Sequence, residues 1–343
     1  MDINRYYLII IFICVCYIIY EYNIKIDKIT LKWKNKLIKY INNNLSDKNS
    51  NLFIIISPEL GDNIIMNGAI RYYCTLYNKV ILTCKNIYYN QISYMYRDLN
   101  NILIYKLPDI YFIQYINYYF PIDDEINNLY SKYNITYVNL LNICNNNKIN
   151  FIYNNIFINN VTRHYNILDL DENIAYNYFK IVRDYNRENI LYNKLINIVG
   201  NKYVIIIDDE KRNFLINDSY TKDINLPIFK ISNNSNNKDS RLNEVKSQYI
   251  FDYIKILENA HLILSIDTSM PWIVNFLNLK VNMRIYPARY DNIIYKNKNI
   301  QKLNVYTQDI IKSNINFDNY FLKYPYEILL SHINLMFSTN QNI

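Results

Sequence analysis

Three stretches of the chain hold residue types able to bind or transfer phosphate-linked groups. The first reads Ser57-Pro-Glu-Leu-Gly61-Asp62-Asn63-Ile-Ile-Met-Asn67-Gly68-Ala-Ile-Arg71. The 343 residues include only three glycines, and two of them fall here, so each marks a backbone position that needs one. Gly61 suits a tight turn between a strand and a helix, Asp62 or Asn63 suits the helix cap, and Gly68 suits close packing of that helix on a sheet. Asp62 reads equally as a cap or as a catalytic carboxylate. The G-x-G-x-x-G spacing of a dinucleotide fingerprint is absent.

The second stretch is His261-Leu-Ile-Leu-Ser-Ile-Asp267-Thr268-Ser269-Met270-Pro271-Trp272. Thr268 and Ser269 stand where a strand gives way to a helix, and Pro271 fits a first helical turn. Free backbone N–H groups and two hydroxyls there would receive a diphosphate. The plainer reading makes Ser269 a cap and Asp267 a turn residue. The third stretch, Asp208-Asp209-Glu210-Lys211-Arg212, offers Lys211 or Arg212 to neutralise a leaving diphosphate, or is a solvated run that neutralises itself. Asp169-Leu170-Asp171 has the Asp-x-Asp form of metal-dependent transferases, but its place before an apolar-periodic helix favours capping. No metal and no cofactor are expected. His164, His261 and His332 are isolated in sequence, and His261, opening a core strand, reads as structural.

The elements that must position these residues repeat a β-α-β order. Strands are expected at Leu52 to Ser57, Lys79 to Cys84 and Asn101 to Leu107, with helices at Asn63 to Tyr77 and Asn86 to Leu99. The stretch from Pro108 to Asn166 gives no clear pattern, and a helix follows from Asp169 to Val199. The second half has strands at Tyr203 to Asp208, Leu226 to Ile231, His261 to Asp267 and Lys280 to Tyr286. Its helices fall at Tyr249 to Ala260, Met270 to Leu277 and Pro325 to Phe337. Strands apolar without alternation belong to parallel sheets covered on both faces. The fold class is therefore α/β, with two Rossmann-like domains facing each other across a cleft. The expected divisions are 1–50 (anchor and basic linker), 51–195 and 196–343. Ligands then sit beyond the carboxyl ends of the strands.

The stretch from Leu60 to Arg71 resembles the N-terminal motif of heptosyltransferase-like glycosyltransferases of the GT-B fold, where a Gly-Asp follows the first strand. Tyr253 to Ser269 is similar to that family's donor-site segment of helix, strand and Asp-Ser/Thr. Met270, Pro271 and Trp272 stand where the family has Gly and His. The resemblance implies that Asp62 is a general base and that Asp267, Thr268 and Ser269 belong to the donor site; Gly61, Asn63, Lys211 and Arg212 complete the candidate substrate-binding residues. The partners it implies are a nucleotide-diphosphate sugar and a glycan or other hydroxyl acceptor, joined without a metal. A non-catalytic nucleotide-sugar or phosphoglycan binder on the same fold is the alternative.

The N-terminus adds a separate expectation. Tyr6 to Tyr20 is an uncharged apolar run, short of the roughly 20 residues of a full helical span but flanked by interfacial tyrosines. An uncleaved single-pass membrane anchor is preferred to a buried core helix. Only Arg5 precedes the run, whereas Lys25, Lys28, Lys32, Lys34, Lys36 and Lys39 follow it, which places the globular part in the cytosol. The stretch from Ile24 to Ile41 reads as a basic amphipathic helix on an anionic membrane surface, or as a solvated linker helix. The excess of Asn, Ile, Lys and Tyr is what an AT-rich genome, of a viral or protist kind, produces. A net charge of +7 with no compact basic patch excludes nucleic acid as the expected partner. Five cysteines without metal spacing suit a reducing compartment.

Overall fold

Leu52, Phe53, Ile54 and Ile55 are all buried, so their strand needs cover on both faces, and the first sheet is built to supply it. The computed structural model describes residues 14, 16, 17, 20, 31–46, 49–55, 59–107, 123–139, 160–208, 215–216, 221–231, 240–286 and 295–302. Contacts divide the chain into two compact units, Met1–Val182 and Arg183–Ile343.

In the first unit, β1 (Asn51–Ile55) runs parallel to β2 (Lys79–Lys85) on one side and β4 (Ile135–Asn139) on the other. With β3 (Ile102–Leu107) outside β2, the order is β3-β2-β1-β4. Phe53 is level with Ile81 on β2 and Tyr137 on β4. The helices are α1 (residues 31–44), α2 (Leu60–Ile65), α3 (Asn67–Leu76), α4 (Tyr89–Met95), α5 (Asp124–Lys132), α6 (Asn160–Ile167) and α7 (Asn173–Asn177). Strand β4 and helix α5 lie in the stretch that gave no clear pattern in sequence.

Helix α1 corrects the expectation of a solvated linker, and of an amphipathic helix whose apolar face is free to meet a membrane. Trp33, Leu37 and Ile41 recur every four residues, one helical face, and that face is buried in one core with Phe53, Ile55, Ile81 and Tyr105. Lys34 is carried inward and pairs with Asp123 and with Glu125 at 2.6 Å, at the start of α5. The lysine holds the Asp123 carboxyl below the usual carboxylate range. The globular unit therefore begins before residue 51.

Gly68 also differs from expectation. A Cβ there would lie 2.6 Å from the Ile174 carbonyl oxygen and 2.8 Å from the Ala175 Cα, so the close approach is of α3 to α7 rather than to the sheet. Arg71, at the end of the same motif, is buried. It forks onto Asp98 at 3.1 and 2.8 Å and donates to the Met95 carbonyl at 3.0 Å, tying α3 to the end of α4.

The second unit holds α8 (Tyr185–Val199), β5 (Val204–Ile207), β6 (Ile228–Lys230), α9 (Ile254–Glu258), β7 (Leu262–Ile266), α10 (Ser269–Phe276), β8 (Met283–Tyr286) and β9 (Ile300–Lys302). Its described strands pair parallel in the order β6-β5-β7-β8-β9. The expected pair of separate parallel sheets is found, with β1 and β7 interior to their sheets. Sequence reasoning ended the first domain at residue 195, inside α8, but that helix belongs with the second unit. Arg183, just ahead of α8, bonds Glu188 through Nε at 2.9 and 3.0 Å and Glu258 at 2.8 Å, and Arg187 bonds Asp252 at 2.7 Å. Among the described residues no helix is long and apolar enough to cross a membrane. Of the run Tyr6 to Tyr20 only Cys14, Cys16, Tyr17 and Tyr20 are described, all helical and exposed. Pro325 to Phe337 and His332 lie outside the described residues.

Leu37 is fully buried, so Leu37→Ala should cost about 2–5 kcal/mol and lower the thermal unfolding midpoint of the first unit. A linker helix would leave that midpoint unmoved.

Candidate functional site

In a parallel sheet the strand order reverses at one place, and the crevice beyond the strand ends there is the natural ligand site. The first sheet reverses between β1 and β4 and the second between β5 and β7. The residues singled out in sequence follow β1, β5 and β7.

After β1, the chain enters α2 through Glu59, an extended N-cap (φ −85°, ψ 149°) whose side chain makes no cap hydrogen bond. Neither Asp62 nor Asn63 is the cap, a correction to the sequence expectation. Gly61 lies inside α2, and the one glycine of positive φ among the described residues is Gly200 at 79°, so Gly61 does not make the turn. The Asn63 side chain is buried and donates to the Glu59 carbonyl at 2.8 Å, fixing the helix start. Asp62 falls in the first turn of α2, where the helix dipole favours a carboxylate. Its side chain is 26% exposed, and Oδ1 lies 3.6 Å from Nε2 of His164, which is buried.

His164 sits on α6, and a neighbour on the same helix explains how it gets there. The helix bends at Met66 between α2 and α3, and a regular continuation would join the Ala69 N–H to the Ile65 carbonyl. Instead, the buried Tyr165 hydroxyl accepts from Ala69 N–H at 2.9 Å and donates to Ile65 O at 3.1 Å. One hydroxyl satisfies both backbone groups and holds α6 against the bend. Burial pushes the Tyr165 phenol well above its ordinary range, so it stays a donor. Beside them, Lys85 at the end of β2 bonds Glu59 at 2.7 Å, and the Tyr88 hydroxyl donates to the same carboxylate at 3.1 Å. The carboxyl end of the first sheet thus gathers Glu59, Asp62, Lys85, Tyr88 and His164.

Sequence reasoning missed His164, Glu59, Lys85 and Tyr165. His164 stood alone in sequence because its partner is far along the chain, and one tyrosine among 38 carries no signal.

In the second unit, Asp208 follows β5 and is buried, accepting from Ile216 N–H at 3.0 Å with Lys230 Nζ 3.8 Å away. Lys211 and Arg212 lie outside the described residues. After β7, Asp267 is buried and Thr268 is the extended N-cap of α10, with no side-chain cap hydrogen bond. The Thr268 hydroxyl oxygen is buried without a hydrogen-bond partner among the described residues. Ser269 opens the helix, so the first N–H groups of α10 are not capped by a Thr268 hydroxyl. Pro271 does fall in the first turn, and Trp272 is buried against Phe276 at 5.9 Å and Tyr295 at 4.8 Å. His261 is exposed at the opposite, amino end of β7, just ahead of the buried strand. The Asp171 carboxylate accepts from Asn173 N–H at 2.7 Å at the start of α7, a capping use.

No protein-family model matches the chain, and no curated protein matches it. Among solved structures it is similar to ADP-heptose LPS heptosyltransferase II of E. coli, at 8% identity over 82% of this chain and 99% of that one, with a TM-score of 0.44. It is similar to a glycosyl transferase of family 9 from Veillonella parvula at 8% identity over 77% and 90% of the two chains, TM-score 0.44. A third similar structure, E. coli heptosyltransferase WaaC with ADP, aligns at 9% identity over 74% and 92%, TM-score 0.37. At these scores the functional assignment rests on the geometry of the strand ends.

Proposed function

We propose that the chain is a metal-independent glycosyltransferase that moves a sugar from a nucleotide-diphosphate donor to an acceptor hydroxyl. The observation that carries the reading is the partly exposed Asp62 carboxylate at the carboxyl end of β1, set 3.6 Å from a buried histidine. As the acceptor oxygen bonds the sugar carbon and the bond from that carbon to the diphosphate breaks, Asp62 takes the acceptor proton. His164 orients the carboxylate. The diphosphate leaves with its electron pair toward the α10 start, where the first helix N–H groups and the Ser269 hydroxyl receive it, and Lys211 and Arg212 are the candidate cations to balance its charge.

The second reading, a nucleotide-sugar binder without turnover, is favoured by Trp272. It fills the core beneath the helix start at the place where the resembling family has Gly and His. The same experiment separates the two. Purified protein is screened with nucleotide sugars by thermal shift, and any stabilising donor is assayed for transfer and hydrolysis. Asp62→Asn should lower turnover about 10²–10⁴-fold with donor affinity unchanged. The melting temperature should barely move, because Glu59 rather than Asp62 is the N-cap of α2. Full turnover in the variant would remove Asp62 as base, and donor binding without turnover in the unmutated protein would establish the binder.

The run Tyr6 to Tyr20 is proposed as an uncleaved anchor with the globular part in the cytosol, on the charge asymmetry around it. In intact microsomes the part after residue 51 should be digested by added protease, and its protection would reverse the orientation.

A further inference from the structure

Between residues 31 and 46 the chain carries Lys32, Lys34, Lys36 and Lys39 and no carboxylate. Lys34 is turned inward to Asp123 and Glu125, whereas Lys32, Lys36 and Lys39 are exposed. Because Trp33, Leu37 and Ile41 are used by the sheet, α1 has no apolar face left to insert into a bilayer, and its free face is cationic. An open groove of about 420 Å³ runs between that face and β3, lined among others by Lys36, Lys39, Asn43, Tyr89 and Lys106. The Lys106 ammonium lies 3.7 Å from the Tyr89 ring centroid. A second depression shares Lys36 and Lys39 and adds Lys32, Asn35 and Leu31, which is 59% exposed. Among the described residues no carboxylate lines either one.

Four exposed cations gathered on one face, with no opposing carboxylate among the described residues that line it, call for an anionic partner. Their distribution says which kind. A single bound phosphate would collect the lysines at one point, but here they extend along the helix over two depressions, with Leu31 exposed among them. Ten residues further toward the N-terminus is the uncharged run Tyr6 to Tyr20, with Lys25 and Lys28 as well as Glu21 and Asp27 between, and a basic segment near an apolar run is what an anionic leaflet attracts. We propose that the exposed lysine face of α1, together with Lys106, docks on the surface of a bilayer rich in anionic phospholipid headgroups. The contact is electrostatic, with the helix lying on the headgroups. It rests on the proposed membrane anchor but not on the proposed reaction.

The test uses the full chain with vesicles of phosphatidylcholine alone and of phosphatidylcholine with phosphatidylserine at low salt. Co-sedimentation should favour the serine-containing vesicles by at least roughly tenfold, since each cation near a charged leaflet adds about fivefold. The variant Lys32→Gln, Lys36→Gln, Lys39→Gln, Lys106→Gln should lose that preference. A control of equal charge change on exposed lysines of the second unit, Lys202→Gln, Lys222→Gln, Lys246→Gln, Lys280→Gln, should keep it. Both variants alter exposed side chains, and an unchanged melting temperature checks that they fold. Lysine acetylation should be suppressed at Lys36 and Lys39 by anionic vesicles only. Equal binding to both vesicle types, or equal loss in both variants, overturns the proposal. So does suppression of acetylation by inorganic phosphate without vesicles, which would assign the groove to a free anion.

Discussion

The burial of parallel strands on both faces is the constraint from which the rest follows. β1 shows no polar alternation, with Leu52, Phe53, Ile54 and Ile55 all inside, so helices must cover the sheet on either side. That need draws α1 onto the sheet by its Trp33–Leu37–Ile41 face and leaves Lys32, Lys36 and Lys39 outside. It also confines polar chemistry to the strand ends, where backbone groups are free of the ladder and loops emerge. The candidate site and the basic face of α1 are two consequences of one packing rule.

Within that frame, the site depends on a few local devices. The Tyr165 hydroxyl inserted between Ile65 O and Ala69 N completes a helix that bends at Met66, and so fixes α6. Fixing α6 places His164 beside Asp62. Arg71, forked on Asp98, anchors the far end of the same helical segment. An Arg71→Lys change would lose the planar two-bond grip at a buried position. These groups do no chemistry themselves, but they hold the carboxylate that would.

Much of the fold was legible because strands apolar without alternation separate cleanly from amphipathic helices. The strands at β1, β2, β3, β5, β6, β7 and β8 were read from that contrast. β4 and β9 escaped it, since β4 (Ile-Thr-Tyr-Val-Asn) alternates and β9 is three residues long. α1 was seen as amphipathic, but periodicity cannot tell whether an apolar face meets a sheet or a membrane. At the site, Asp62 and the Thr268–Ser269 helix start stood out through scarce glycine and strand-to-helix position. His164, Glu59 and Tyr165 did not, because their roles come from tertiary contacts with no local pattern.

The central claim is that a nucleoside diphosphate is received at the carboxyl end of β7. Amide hydrogen exchange of the full chain with and without ADP and UDP addresses it directly. The account predicts slowed exchange at the amides of Ser269 and Met270, the first turn of α10, with exchange in β8 and β9 unchanged. Binding of either nucleotide with no protection at Ser269 and Met270, or protection confined to other elements, would contradict it.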